Sequence, residues 1–189
     1  MPSAVIAQDF TLYDELLALP ENQVGEIING QLYAQPRPTG RHTLAQSELM
    51  VELGGPFDRG RGGPGDWWIL MEPELHFIRD TEVVVPDLAG WRRERMPTLP
   101  EDHRFGVVPD WVCEILSPST ARKDRALKLP LYARFGVAHV WLIDPLARTL
   151  EAFELQNGRW TLVAVFKDED TVAAPPFAVA PFSLAVLWA

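Results

Sequence analysis

The sequence predicts one α/β (α+β) domain in which helices pack on a mixed β-sheet. Three observations carry this reading. Two Asn-Gly dipeptides each stand between strand-like runs, and a strand–helix–strand succession covers residues 111–144. In addition, 47% of the 189 residues are apolar and seven are Trp, enough for a core of its own. No linker is long enough to divide the chain, so residues 1–189 are read as a single domain with a core at 42–145 and hairpin extensions at 24–34 and 149–166.

Each element has its own signal. Thr11 and Asp14 have capping-box spacing and open a short helix ending near residue 19. Asn29-Gly30 joins strands at 24–28 and 31–34, because a two-residue hairpin turn needs positive φ at both positions. A helix follows at 42–53, with Leu44, Leu49 and Leu53 toward one side. Six Gly and two Pro in residues 54–65 read as a mobile connector, and no Gly-Lys-Ser/Thr ending marks it as nucleotide-binding.

Strands are expected at 67–71, 74–78 and 81–89, the last two joined by a turn at Arg79-Asp80. A Pro-bearing loop leads to a strand at 111–116. Ser117 to Thr120 then cap a helix that Gly136 ends, and Pro130 should kink or split it. The strand at 139–144 is expected to run parallel to the one at 111–116, with a right-handed crossover between them. Asn157-Gly158 makes a second hairpin, and a final strand is expected at 184–188.

The net charge of −9 counts against nonspecific binding to a polyanion. Its distribution is uneven, because residues 91–134 hold nine Lys/Arg against six Asp/Glu. A basic zone therefore lies beside the acids considered next, which permits a phosphate-bearing substrate. With no apolar run of 18 residues and no basic-then-apolar leader, a cytoplasmic protein with no membrane partner is expected. The lone Cys113 allows neither an intrachain disulfide nor a cysteine-based zinc site.

Two acids recur in one setting: Asp87 follows Val-Val-Val-Pro, and Glu114 lies inside Val-Cys-Glu-Ile-Leu. A buried carboxylate needs a partner, and two that meet across strands repel unless a cation joins them. Oxygen ligands alone point to Mg²⁺ or Mn²⁺ as the cofactor. The bland alternatives are that Asp87 ends a strand and that Glu114 pairs with Arg122 or Arg125. Strand alternation puts Val112, Glu114 and Leu116 on one face and Cys113 and Ile115 on the other. On the following helix Asp124, Lys128 and Tyr132 are spaced by four and share a face. A lysine there can orient water or steady charge on a phosphate, or it can be an ordinary Asp–Lys pair in solvent.

Taken together, Gly25 to Gly30, Val85-Pro-Asp87, Val112 to Thr120, Asp124 with Lys128 and Tyr132, and Gly136 to Pro145 resemble the Uma2 family. That family (also called DUF820) is assigned to the restriction-endonuclease-like PD-(D/E)XK fold. The resemblance implies a metal-dependent nuclease core with Asp87 and Glu114 as the two acids of the motif. The family's lysine would fall at 116 in the plain motif, where this chain has Leu116. The resemblance then makes Lys128 the best match and Lys123 the alternative. It also implies a further acid, with Glu26 of the hairpin ranked above Glu48 and Glu52. His42 matches a family position too, although a histidine at a helix start is more often a cap or surface residue.

The function expected is metal-dependent endonuclease activity on nucleic acid, DNA first. Asp87, Glu114, Lys128 and Glu26 would be catalytic, with Asp87 and Glu114 holding the metal. Arg122, Lys123 and Arg125 would touch the substrate backbone, helped by Arg92, Arg93 and Arg95. A homodimer is expected where both strands are cut. The alternative is a non-catalytic module on the same fold, suggested by Leu116, the acidic surface and Pro130. Serine hydrolase and zinc peptidase readings lack Gly-x-Ser-x-Gly and His-Glu-x-x-His.

Overall fold

The computed structural model describes residues 10–188, so the expectation about a leader lies partly outside the described residues. Thr11 caps α1 (Leu12–Leu17) through a reciprocal bond pair with Asp14, as its spacing predicts. The hairpin of β1 (Gln23–Ile28) and β2 (Gln31–Pro36) turns on Asn29 and Gly30 at φ 52° and 73°. Then α2 spans Gly40–Leu53, and a π-helical turn, Gly54–Asp58, prolongs it. That turn corrects the expected connector. Pro56 cannot donate to Glu52, and the ladder widens so that Arg59 N–H reaches the Gly54 carbonyl while Phe57 is buried.

Next come β3 (Trp67–Met71), β4 (Glu74–Ile78), β5 (Glu82–Val84) and β6 (Leu88–Arg92). The single strand expected at 81–89 is therefore two. Pro86 has no N–H to give to a ladder, and the chain leaves one sheet and enters another across Val85-Pro86-Asp87. A short β7 (Arg104–Phe105) lies in the Pro-bearing loop, ahead of β8 (Trp111–Ile115).

The helix after β8 runs on through Pro130 without the expected split, its ladder widened into a π-helical turn just before the proline. It consists of α3 (Ala121–Lys123), a π-helical turn (Asp124–Lys128) and α4 (Leu129–Phe135), and Gly136 ends it at φ 79°. Beyond it lie β9 (His139–Asp144), the hairpin β10 (Thr149–Gln156) and β11 (Arg159–Lys167), then short β12 (Thr171–Val172) and β13 (Phe182–Ser183). The last expected strand is instead a 3₁₀ turn, Leu184–Leu187. Spacing of three buries Leu184 and Leu187 together, which a strand's period of two would separate.

The strands form two main sheets where one was expected. One has the order β2-β1-β5-β4-β7 and the other β11-β10-β9-β8-β6-β3. In the second, β8 and β9 are parallel, as a crossover requires, and their neighbours are antiparallel. One face of this sheet packs Trp111, Cys113 and Ile115 against α2 and the C-terminal segment. The other packs Val112, Leu116 and Leu142 against α4 and residues of the first sheet. The alternation expected along β8 is thus observed. No helix among the described residues is long and apolar enough to cross a membrane.

Candidate active site

The site forms where the chain crosses between the sheets, and the crossing explains its chemistry. Val85 leaves its ladder, and its N–H donates to Glu26 Oε1 at 2.9 Å. Its carbonyl accepts from Lys128 Nζ at 3.3 Å. One residue beyond the last β6–β8 pair, Asp87 stands across from Glu114. There the Asp87 carboxylate takes the place of a strand, accepting the Ile115 N–H at 2.6 Å. Groups that would otherwise be orphaned by the crossing are satisfied by acids and a lysine.

Lys128 lies at the centre. Its Nζ is 2.8 Å from Glu114 Oε1 and 2.8 Å from Glu26 Oε1, and its side chain is only 1% exposed. The i,i+4 face expected for Asp124, Lys128 and Tyr132 is therefore the buried face, not a solvated one. Tyr132 donates its hydroxyl to Glu114 Oε1. Lys123 turns inward to Glu26 Oε2 and to Gln35. Burial favours neutral Glu26, but Lys128 and Lys123 outweigh it and hold the carboxyl below its usual range. Burial, with Asp124, Asp87 and Glu26 nearby, pushes Glu114 well above that range despite Lys128. Burial likewise raises Asp124. Lys128 stays charged, because Glu114 and Glu26 overcome its own burial.

Asp87 belongs to the wetter half of the site. Its second oxygen faces His42 Nε2 at 3.0 Å, with side-chain exposures of 17% and 10%. His42 is therefore neither a cap nor a surface residue, which corrects the expectation for it. It sits with Gln46, Leu49 and Leu53 on the buried side of α2, while Leu44 is only half-buried. Gln46 Nε2 donates to the Asp87 carbonyl at 3.0 Å. Two polar residues in line with buried leucines were the available signal for this pair. A cleft opens onto Asp87 and His42, walled by Arg37, Glu72, Ser117 and Thr120.

The other expected residues are scattered. Arg125 pairs with Glu151 of β10 at 2.5 Å, so Glu114 has Lys128 and Tyr132 for partners instead of an arginine. Arg122 is exposed, and among the described residues no carboxylate pairs with it. Arg93 is held by Asp58 and lies over the Trp68 ring, Arg95 is held by Asp110, and Arg92 lies over Trp67. Glu48 and Glu52 make no ion pair with the site among the described residues. Leu116, where the plain motif has lysine, is a buried core residue.

Among the described residues no group of three or more His, Cys, Asp or Glu is arranged to hold a metal ion. The donor set nevertheless fits Mg²⁺ or Mn²⁺, which take one or two carboxylates and fill their other positions with water and substrate oxygens. Asp87 and Glu114 offer such a carboxylate pair; burial is what chiefly raises Glu114, with Asp124 and Asp87 adding to it, and a bound cation would favour its ionised form. The set does not fit Zn²⁺, which favours nitrogen and sulfur ligands in a closed tetrahedron.

Comparisons with known proteins identify the family and the fold. The family model of Uma2, described as "Putative restriction endonuclease", matches residues 13–186. A solved structure of a "putative nuclease belonging to DUF820" from Anabaena variabilis ATCC 29413 superposes with a TM-score of 0.72. It is 27% identical, and the match covers 93% of this chain and 96% of that one. No curated protein matches. With nearly its whole length matched by the family model, the chain belongs to the Uma2 family.

Proposed function

We propose that this chain is an endonuclease that hydrolyses phosphodiester bonds of nucleic acid, DNA first, with Mg²⁺ or Mn²⁺ held by Asp87 and Glu114. The carrying observation is Lys128 Nζ at 2.8 Å from Glu114 Oε1, beside an Asp87 that opens to the cleft. Bound there, the ion supplies charge neutralisation at the phosphate and a lowered water pKa.

The chain's own residues divide the remaining work. Lys128 is too deeply enclosed to touch a substrate, so it positions Glu114 and Glu26 and balances their charge. Tyr132 fixes the Glu114 rotamer, and His42 fixes that of Asp87. Lys123 is more exposed, at 13%, and can turn to a phosphate while Lys128 keeps Glu26 paired. This arrangement is pre-set before substrate arrives, which is the electrostatic requirement for stabilising charge on a transferring phosphoryl group.

A non-catalytic module on the same fold has one observation in its favour. Both Asp87 oxygens and Glu114 Oε1 already accept hydrogen bonds within the protein. Calorimetric titration with Mg²⁺ separates the two readings. The nuclease reading expects one site that is lost in Glu114→Gln, and it is wrong if wild-type protein takes up no Mg²⁺ or Mn²⁺.

A further inference from the structure

On the other side of the first turn of α2 lies a second cleft, and its chemistry differs from that of the first. Arg41 and Arg148 supply two guanidiniums, Trp188 supplies an indole, and Leu44, Leu146 and Leu187 supply apolar walls around about 210 Å³. Among the described residues, neither Arg41 nor Arg148 forms an ion pair, in contrast to Arg93, Arg95, Arg104, Arg125 and Arg134. Both side chains are exposed and lack an internal anion, and a guanidinium pair matches phosphate oxygens by geometry as well as charge.

The backbone around this cleft is held in an unusual form. Arg148 sits at φ 53°, a left-handed conformation rare for a residue with a side chain. It closes the turn between β9 and β10, and its carbonyl accepts the Asp168 N–H at 2.9 Å, one step beyond the Thr149–Lys167 pair. The Asp168 carbonyl in turn accepts the Trp188 indole N–H at 2.7 Å. Arg148 and Trp188 are thus tied to one another through Asp168. The bond satisfies the indole's only donor, so the ring presents no unmet polar atom to the cleft.

We infer that this cleft is a nucleotide subsite: both guanidiniums take one backbone phosphate of a DNA strand, and its unpaired base stacks on Trp188. The inference rests on the nuclease reading only for the direction of the strand. Arg41 and His42 are consecutive on α2, and one opens to this cleft while the other opens to the Asp87 cleft. A strand passing between them crosses the width of one helix, about 10–12 Å. The subsite therefore lies within a few nucleotides of the bond to be cut. Stacking is tolerant of base identity, so this subsite adds affinity without sequence preference.

The test is fluorescence anisotropy of a labelled single-stranded DNA hexanucleotide, with EDTA present so that nothing is cleaved. The expected result is at least fivefold weaker binding for Arg41→Gln/Arg148→Gln and for Trp188→Ala. Trp188→Phe should stay within about twofold of wild type. The double arginine variant should also lower the slope of log affinity against log salt by about one. Arg159→Gln, at an exposed position that lines neither cleft, should bind as wild type does, which separates this cleft from a general loss of positive charge. Wild-type affinity in the double arginine variant overturns the inference, as does a wild-type protein that does not bind the oligonucleotide. If that protein still cleaves DNA with Mg²⁺, the nuclease reading survives alone. Should the variants fail to fold, the indole N–H resonance of Trp188 in the wild-type protein decides the matter. It must shift on titration with a 5′-phosphorylated dinucleotide, and an unmoved resonance overturns the subsite.

Discussion

Lys128 Nζ lies 2.8 Å from Glu114 Oε1 and is shared at the same distance with Glu26, so one buried ammonium separates two buried carboxylates. Replacing Lys128 by Met keeps the volume and removes the charge. Glu26 and Glu114 would then face each other across an apolar chain, and breaking a buried pair this way costs about 3–5 kcal/mol. Urea melts should show that loss for Lys128→Met. The double variant Lys128→Met/Glu114→Gln should recover part of it, because the uncompensated charge is gone.

Tyr132→Phe removes only the hydroxyl that Glu114 accepts. Leaving a buried oxygen short of its donor costs about 1–3 kcal/mol, so chemical denaturation should report a loss in that range. Cleavage should fall less than in Glu114→Gln, since the carboxylate itself remains.

His42 holds one oxygen of Asp87 at 3.0 Å. Residues that orient a metal-binding carboxylate typically matter by about 10–100-fold in activity or metal affinity. His42→Ala should lower cleavage by that factor with little change in Tm, and His42→Gln, which keeps a donor, should restore part of the rate.

Away from the site, His139 gives a pH signature. Burial pulls its pKa below 6.5, chiefly by penalising the imidazolium. The unfolded chain therefore binds the proton more readily than the folded one. The stability associated with neutral His139 is complete above about pH 6.5 and declines as pH falls from there. His139→Gln should flatten the stability–pH profile below about pH 6.5, measured by urea midpoint, and leave its high-pH plateau in place.

Several of these residues were legible in the sequence, and the reasons are physical. Asp87 and Glu114 stand out because acids rarely punctuate β-branched runs, and Lys128 and Tyr132 follow because a spacing of four shares a helix face. Both Asn-Gly turns and the Gly136 stop are local, fixed by φ alone. What the pattern does not carry is which sheet a strand joins. Val83 to Ala89 reads as continuous, and only Pro86 signals that the chain changes sheets there. The His42–Asp87 pair joins residues 45 positions apart, and no local rule connects them. The burial of Lys123 against Glu26 was likewise hidden. A run of Arg122, Lys123 and Arg125 reads as one basic face, whereas the π-helical turn that begins at Asp124 accompanies three different orientations.

The most direct measurement of the central claim is cleavage of supercoiled plasmid DNA in Mg²⁺ by wild-type protein and by Asp87→Asn, with matched circular dichroism and melting curves. The account predicts nicked or linear product from the wild type, and none from Asp87→Asn or from wild type in EDTA. Equal cleavage by a correctly folded Asp87→Asn would contradict it, as would folded, metal-loaded wild type that cuts neither DNA nor RNA.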